Sequence, residues 1–177
     1  MSTHFAPALQ AARDACASQH YPQGALYIVA TPIGNLADIS LRALHVLQLV
    51  DAIACEDTRH TQALLRAYGM DRPGAQLLAV HQHNESEGAQ RVLERLQQGQ
   101  RVAYASDAGT PGVSDPGARL VAAVRAAGLP VVPLPGASSI TTAVSVAGLV
   151  AQGADDGGFV FAGFLPPKAT ERGHAVA

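Results

Sequence analysis

Residues 101–117 read RVAYASDAGTPGVSDPG. Arg101–Ser106 has the short apolar content of a buried strand, and the stretch after it is rich in glycine and proline. Asp115-Pro116 then carries the N-cap and first-turn signals of a helix that runs to Gly128. Strand, loop and helix in that order are half of a parallel βαβ unit. A plain connection of this kind needs about 2–6 residues, so a loop this long points to ligand binding. Its glycines let the backbone approach a ligand and expose N–H groups, while Pro111 and Pro116 stiffen the path. Asp107 suits a ligand ammonium, and Thr110 and Ser114 suit a carboxylate or ribose. Asp115 alone reads as a helix cap.

The same strand–loop–helix order extends outward on both sides. Ala25–Ala30 is a strand ending in Thr31-Pro32-Ile33-Gly34-Asn35. A helix follows at about Ile39–Val50, with Asp38 as N-cap and Leu41, Leu44, Leu47 and Val50 on one face. Ala52–Cys55 is a second strand, running into Glu56-Asp57-Thr58-Arg59-His60, where Thr58 caps a helix that ends at Gly69. Gln76–Val80 is a third, followed by His81-Gln82-His83-Asn84-Glu85 and a helix to Gln98. Pro130–Leu134 is a fifth, followed by Pro135-Gly136-Ala137-Ser138-Ser139 and a small-residue helix to about Leu149. Strand–helix units in series predict an α/β fold, a mainly parallel sheet flanked by helices on both faces. Ligands of such sheets bind beyond the carboxyl ends of the strands, where strand order reverses. Every unusual loop here lies at a carboxyl end.

The chain has 177 residues, 48% of them apolar and 15% charged, enough for one core and too little charge for a disordered chain. Residues 1–23 lack the pattern of a signal peptide and read as a weakly ordered leader. The main domain is expected over residues 24–150, a linker over 151–158 and the start of a truncated second domain over 159–177. Within the last segment Phe159–Gly163 reads as a strand, and Ala169–Ala177 as lacking a capped helix. Net charge is −2, so any nucleic-acid surface must be local. Cys16 and Cys55 are too few and too far apart for a disulfide framework or zinc site, and they fit a reducing cytoplasm. No run reaches the ~18 apolar residues of a membrane span.

The absent GxGxxG excludes a dinucleotide fingerprint, and the absent Gly-Lys-Ser/Thr a Walker loop. The first loop by itself leaves an ordinary turn and a ligand loop equally open. The fifth offers two hydroxyls and free N–H groups at a helix N-terminus, which suits an adenosine or carboxylate edge and equally a simple N-cap. His81, His83 and Glu85 lack a matched further ligand, so no metal is expected. Cys55, beside Glu56 and Asp57, reads as a buried strand thiol.

Taken in order, LYIVATPIGN (26–35), EDTRHT (56–61), SDAGTPGVSDPG (106–117), LPGASS (134–139) and GFLPPK (163–168) carry a resemblance over about residues 24–172. The chain resembles the tetrapyrrole (corrin/porphyrin) methylases and, within them, the ribosomal RNA methyltransferases that modify a cytidine 2′-hydroxyl of the small subunit. The resemblance implies S-adenosyl-L-methionine as cofactor, held between two α/β domains of which the second is largely missing here. The implied cofactor residues are Pro32 and Gly34 in the first loop, Ala108, Gly109, Thr110 and Val113 beside Asp107 in the fourth, and Ser138 and Ser139 in the fifth. Arg59, His60 and Asn84 fall on the substrate side, with Arg59 the expected phosphate contact. Glu56, Asp57, His83 and Glu85 are the candidate general bases, unranked by sequence. The implied setting is a cytoplasmic homodimer acting on ribosomal RNA. The competing readings are a methylase of a tetrapyrrole or other small substrate, and an inactive fragment.

Overall fold

The computed structural model describes residues 5–113, 115–148 and 158–176. Five short strands, β1 (Leu26–Val29), β2 (Ala52–Cys55), β3 (Leu77–Ala79), β4 (Val102–Ala105) and β5 (Val131–Leu134), form one sheet in the order β3-β2-β4-β1-β5. All of its pairings are parallel. The helices are α1 (Ala6–Cys16), α2 (Leu41–Leu49), α3 (Thr58–Ala67), α4 (Glu85–Gln97), α5 (Gly117–Ala126), α6 (Ser139–Val146) and α7 (Ala169–Val176).

β2 and β4 are buried along their whole length, as central strands covered on both faces must be. One face packs Tyr27, Val29, Ile53 and Ala105 against Leu44 and Leu47 of α2 and Leu65 of α3. The other packs Leu26, Ala54 and Tyr104 against Val92 and Leu96 of α4 and Leu120 and Val124 of α5. Each buried Leu, Val or Ile side chain contributes on the order of 1.5–3 kcal/mol. The chain runs outward from β1 to β3, then returns to β4 and crosses to β5, so strand order reverses at the β4–β1 pair.

Several expectations are corrected. Residues 6–16 are not a loose leader. Leu9, Ala12 and Cys16 recur on one helical face and are buried, and Phe5 stacks edge-on against Tyr68 with ring centroids 4.9 Å apart. Asp38 does not cap α2: Ser40 does, accepting from Ala43 N, while Asn35 caps a 3-10 turn at Leu36–Asp38. Asp57, not Thr58, caps α3.

The chain divides into two compact units, Met1–Ser139 and Ile140–Ala177, so the boundary falls at the first residue of α6 rather than at residue 150. In the second unit, 159–163 form no strand, having no paired neighbour among the described residues. Residues 169–176 do form a helix, α7. Lys168 pairs with Glu171 at its start, and Arg172 donates to the carbonyls of Pro166 and Pro167. The expected linker lies outside the described residues except for Gly158, and Ser114 lies outside them too.

Candidate functional site: three loops pinned at the switch point

Beyond the β1–β4 ladder, Thr31 and Gly109 form an antiparallel bridge. Thr31 N donates to Gly109 O at 2.9 Å, and Gly109 N donates to Thr31 O at 3.0 Å. The buried Thr31 hydroxyl donates to Ser106 O at 3.0 Å, and the buried Ser106 hydroxyl to Gly109 O at 3.2 Å. The first and fourth loops are therefore sewn together at the reversal of strand order. Gly109 sits at φ 84°, in the left-handed region. The fifth loop joins them, because the Thr110 hydroxyl donates to Ala137 O at 2.9 Å. Gly136 lies so close to β1 that a Cβ there would meet the Ala30 Cβ at 2.7 Å.

The fourth loop is braced from below by Asp115. Its Oδ2 accepts from Gly112 N at 2.8 Å, and its Oδ1 accepts from Gly117 N at 2.7 Å and from the Tyr104 hydroxyl at 3.2 Å. One acceptor in this loop has no donor: Asp107 Oδ1 is buried and makes no hydrogen bond. Buried polar atoms are nearly always satisfied, so this one is an acceptor open to a further donor. Of the other expected cofactor residues in these loops, Pro32 and Ser138 are half-buried, and Gly34, Ala108, Val113 and Ser139 are exposed. The convergence of the Thr31, Asp107 and Pro135 turns is thus observed.

The polar runs after β2 and β3 meet the loop after β4 in a cleft of about 540 Å³, lined by Glu56, His81, His83, Glu85, Asp115 and Arg119 among others. Glu56 links this cleft to the fourth loop, since the Asp107 backbone N–H and carboxylate both lie close enough to act on its charge. Burial raises the Glu56 pKa above the usual carboxylate range, with the charges of Asp107 and Asp115 adding to the effect. Asp57 is the opposite case. Its carboxylate accepts from the Arg59 side chain and from Arg59 N and His60 N, which holds its pKa at about 2.

Glu85 is ion-paired with Arg119, and the exposed His83 ring lies 6.0 Å from that of His81. Asn84 spends both ends of its amide inside its own turn, accepting from His81 N at 2.8 Å and donating to Ala79 O at 3.1 Å. That use counts against a direct substrate contact. Arg59 and His60 are exposed on α3, and Arg59 lines a separate groove with Gln62, Arg66 and Leu77. Sequence reasoning missed Arg119, which reaches the cleft only by packing of α5 beside α4. It also missed the Thr31–Ser106–Gly109 clamp, for which a buried hydroxyl at each strand end was the available signal. Among the described residues, no three His, Cys, Asp or Glu side chains come together to hold a metal. Burial pushes the Cys55 thiol up to about 11.

A doubly wound parallel sheet with its carboxyl-end loops pinned together at the switch point defines an α/β domain of the nucleotide-binding type of architecture. The family model of Tetrapyrrole (Corrin/Porphyrin) Methylases matches residues 25–177, and the chain belongs to that family. Ribosomal RNA small subunit methyltransferase I of Escherichia coli O157:H7 is 53% identical over 154 residues, covering 87% of this chain and 51% of that protein. The protein of the same name from Xylella fastidiosa is 53% identical over 149 residues, covering 84% and 52%. The chain thus spans about half the length of the curated relatives it matches. Among solved structures, uroporphyrin-III-C-methyltransferase from Thermus thermophilus superposes with a TM-score of 0.54 at 25% identity, over 74% of this chain and 55% of that one. A cobalt precorrin-4 methyltransferase of cobalamin biosynthesis shares the fold at a TM-score of 0.54 and 24% identity, over 74% and 54%. No described helix is long and apolar enough to cross a membrane.

Proposed function

We propose that this chain carries the S-adenosylmethionine-binding half of an enzyme that methylates a cytidine ribose 2′-oxygen in small-subunit ribosomal RNA. The observation that carries the reading is the pinning together of three carboxyl-end loops, the fourth of which holds the unpartnered Asp107 Oδ1. An amino-acid ammonium is the donor that such a carboxylate lacks. The residues fit the cofactor in another respect too: Gly109 and Gly136 stand where a side chain would crowd Ile33 or Ala30 and narrow the approach. Pro32, Gly34, Asp107, Ala108, Gly109, Thr110, Val113, Ser138 and Ser139 would hold it. When bound, S-adenosylmethionine supplies a methyl group already activated by its sulfonium.

Glu56 takes the role of general base. It lines the cleft, it lies beside the fourth loop at Asp107, and its raised pKa brings it nearer the working pH. Its carboxylate accepts the proton that leaves the ribose 2′-hydroxyl. Asp57 is too acidic and already spent on the α3 cap, and Glu85 is committed to Arg119. The substrate follows the relatives' printed name, and 53% identity to them against 25% to a tetrapyrrole enzyme favours RNA. The proposal includes a homodimer in the cytoplasm. Exposed Val160, Phe164 and Val176 in the C-terminal unit support self-association, and a monomer by sedimentation at micromolar concentration would reject it.

The test is transfer of a tritiated methyl group from S-adenosylmethionine to small ribosomal subunits or to a uroporphyrinogen. Label in the RNA is expected, falling on the order of 10²-fold in Glu56→Gln. Label in the tetrapyrrole, or in neither, contradicts the proposal.

A further inference from the structure

The expected phosphate contact, Arg59, does not line the cleft that holds Glu56 and His83; Arg119 does. Arg119 lies in the first turn of α5 and reaches across to Glu85, the first residue of α4, with one nitrogen, Nη1, engaged. The two partners differ sharply in access: the Glu85 side chain is 17% exposed and that of Arg119 80%. The carboxylate is thus the fixed post, and the guanidinium is presented to solvent at the mouth.

The remaining charged and titratable groups of the cleft are Glu56, Asp115, His81 and His83. Both Asp115 oxygens are engaged within the fourth loop. The carboxylates of Glu56, Glu85 and Asp115 outnumber the single guanidinium of Arg119, so an RNA backbone entering the cleft meets repulsion that Arg119 must offset.

We propose that Arg119 takes the RNA phosphate beside the acceptor nucleotide, with Glu85 holding its guanidinium in position. The inference rests on the RNA-methylating reading above. A guanidinium has five N–H donors in a planar fork, so it engages a carboxylate on one edge and a phosphate on another. An exposed ion pair of this kind is worth little on its own, so it fixes orientation without competing strongly for the phosphate.

The test is the affinity of the whole chain for deproteinised small-subunit ribosomal RNA, measured by filter binding across a salt series. Each single-strand phosphate contact contributes about 0.7 to the slope of log K against log salt. Arg119→Ala is expected to lower the slope by about 0.7 and to weaken binding about fivefold at 0.1 M salt. Arg119→Lys should restore the slope, Arg59→Ala should leave slope and affinity unchanged, and Glu85→Gln should keep the slope while weakening binding. Heats of S-adenosylhomocysteine binding and the thermal transition should match wild type in Arg119→Ala. Wild-type RNA affinity and slope in Arg119→Ala overturn the inference, as does failure of Arg119→Lys to restore the slope. If the unsubstituted chain binds S-adenosylhomocysteine but no RNA, the RNA reading itself fails, and this inference with it.

Discussion

Glu56 is a carboxylate kept where its charge is disfavoured, and its neighbour Asp57 is kept where charge is rewarded. Because the folded-state pKa of Glu56 lies above its ordinary value near 4.5, the folded chain holds that proton more tightly than the unfolded one. Its contribution therefore favours folding at low pH and is lost as pH rises through the folded value. Glu56→Gln should raise the melting temperature near neutral pH, and the gain should vanish below about 4.5; a gain that is flat with pH would rule out the burial penalty. Asp57 runs the other way. Its stabilising contribution is complete above its ordinary value of 3.8 and is lost as pH falls toward about 2. Asp57→Asn should thus cost stability near neutral pH and little in strong acid. The sequence places Glu56 and Asp57 side by side and cannot separate them. What separates them is that one side chain turns into the cleft and the other onto the N-terminus of α3. The Asp57–Thr58 cap was ambiguous for a related reason, since both residue types cap helices and only backbone conformation decides between them.

At the scale of elements, long-range side-chain contacts fix the ends. Arg72 donates to Val50 O at 2.6 Å, Leu47 O at 2.7 Å and Gln48 O at 2.8 Å, closing the carboxyl end of α2. Arg72→Ala should cost about 1–3 kcal/mol in a denaturant titration, because several carbonyls lose a charged donor. Arg72→Lys should recover only part of that loss. At the other end of the fold, a Cβ on Gly117 would come within 2.4 Å of Tyr104 Cε1 and 2.6 Å of Asp115 Oδ1. Gly117→Ala should therefore cost about 1–3 kcal/mol and weaken cofactor binding as well, since Asp115 braces the fourth loop. Unchanged stability would show that the loop yields easily.

The strands were legible in sequence because each is a short apolar run bounded by loop residues, as in Ala52–Cys55. Helix α1 was not. Its buried stripe of Leu9, Ala12 and Cys16 is short and built partly of small residues, and it declares itself only against α2. The segment 159–163 misled in the opposite direction, being apolar and β-prone but without a neighbour to pair with.

For the whole molecule, a net charge of −2 and eleven arginines look contradictory in a chain proposed to meet RNA. Much of that arginine is structural: Arg42, Arg72, Arg91 and Arg101 all donate to backbone carbonyls. Arg119, by contrast, faces a cleft. The cysteines are equally quiet, with Cys16 and Cys55 both buried. With the Cys55 pKa raised to about 11, Ellman's reagent should modify neither thiol of the native chain appreciably, and rapid release of even one equivalent would contradict the burial. The loops pinned at the switch point could be picked out because glycine, proline and hydroxyl-bearing residues cluster at carboxyl ends. The hydrogen bonds that join them span 27 to 78 residues and left no local trace beyond a hydroxyl-bearing residue at the strand ends.

The central claim, that those joined loops hold a sulfonium nucleoside, is tested most directly by calorimetric titration of the chain with S-adenosylhomocysteine. A saturable one-to-one isotherm, lost in Gly136→Val, is the predicted result. Absence of heat up to millimolar ligand, or binding that Gly136→Val leaves unchanged, would contradict it.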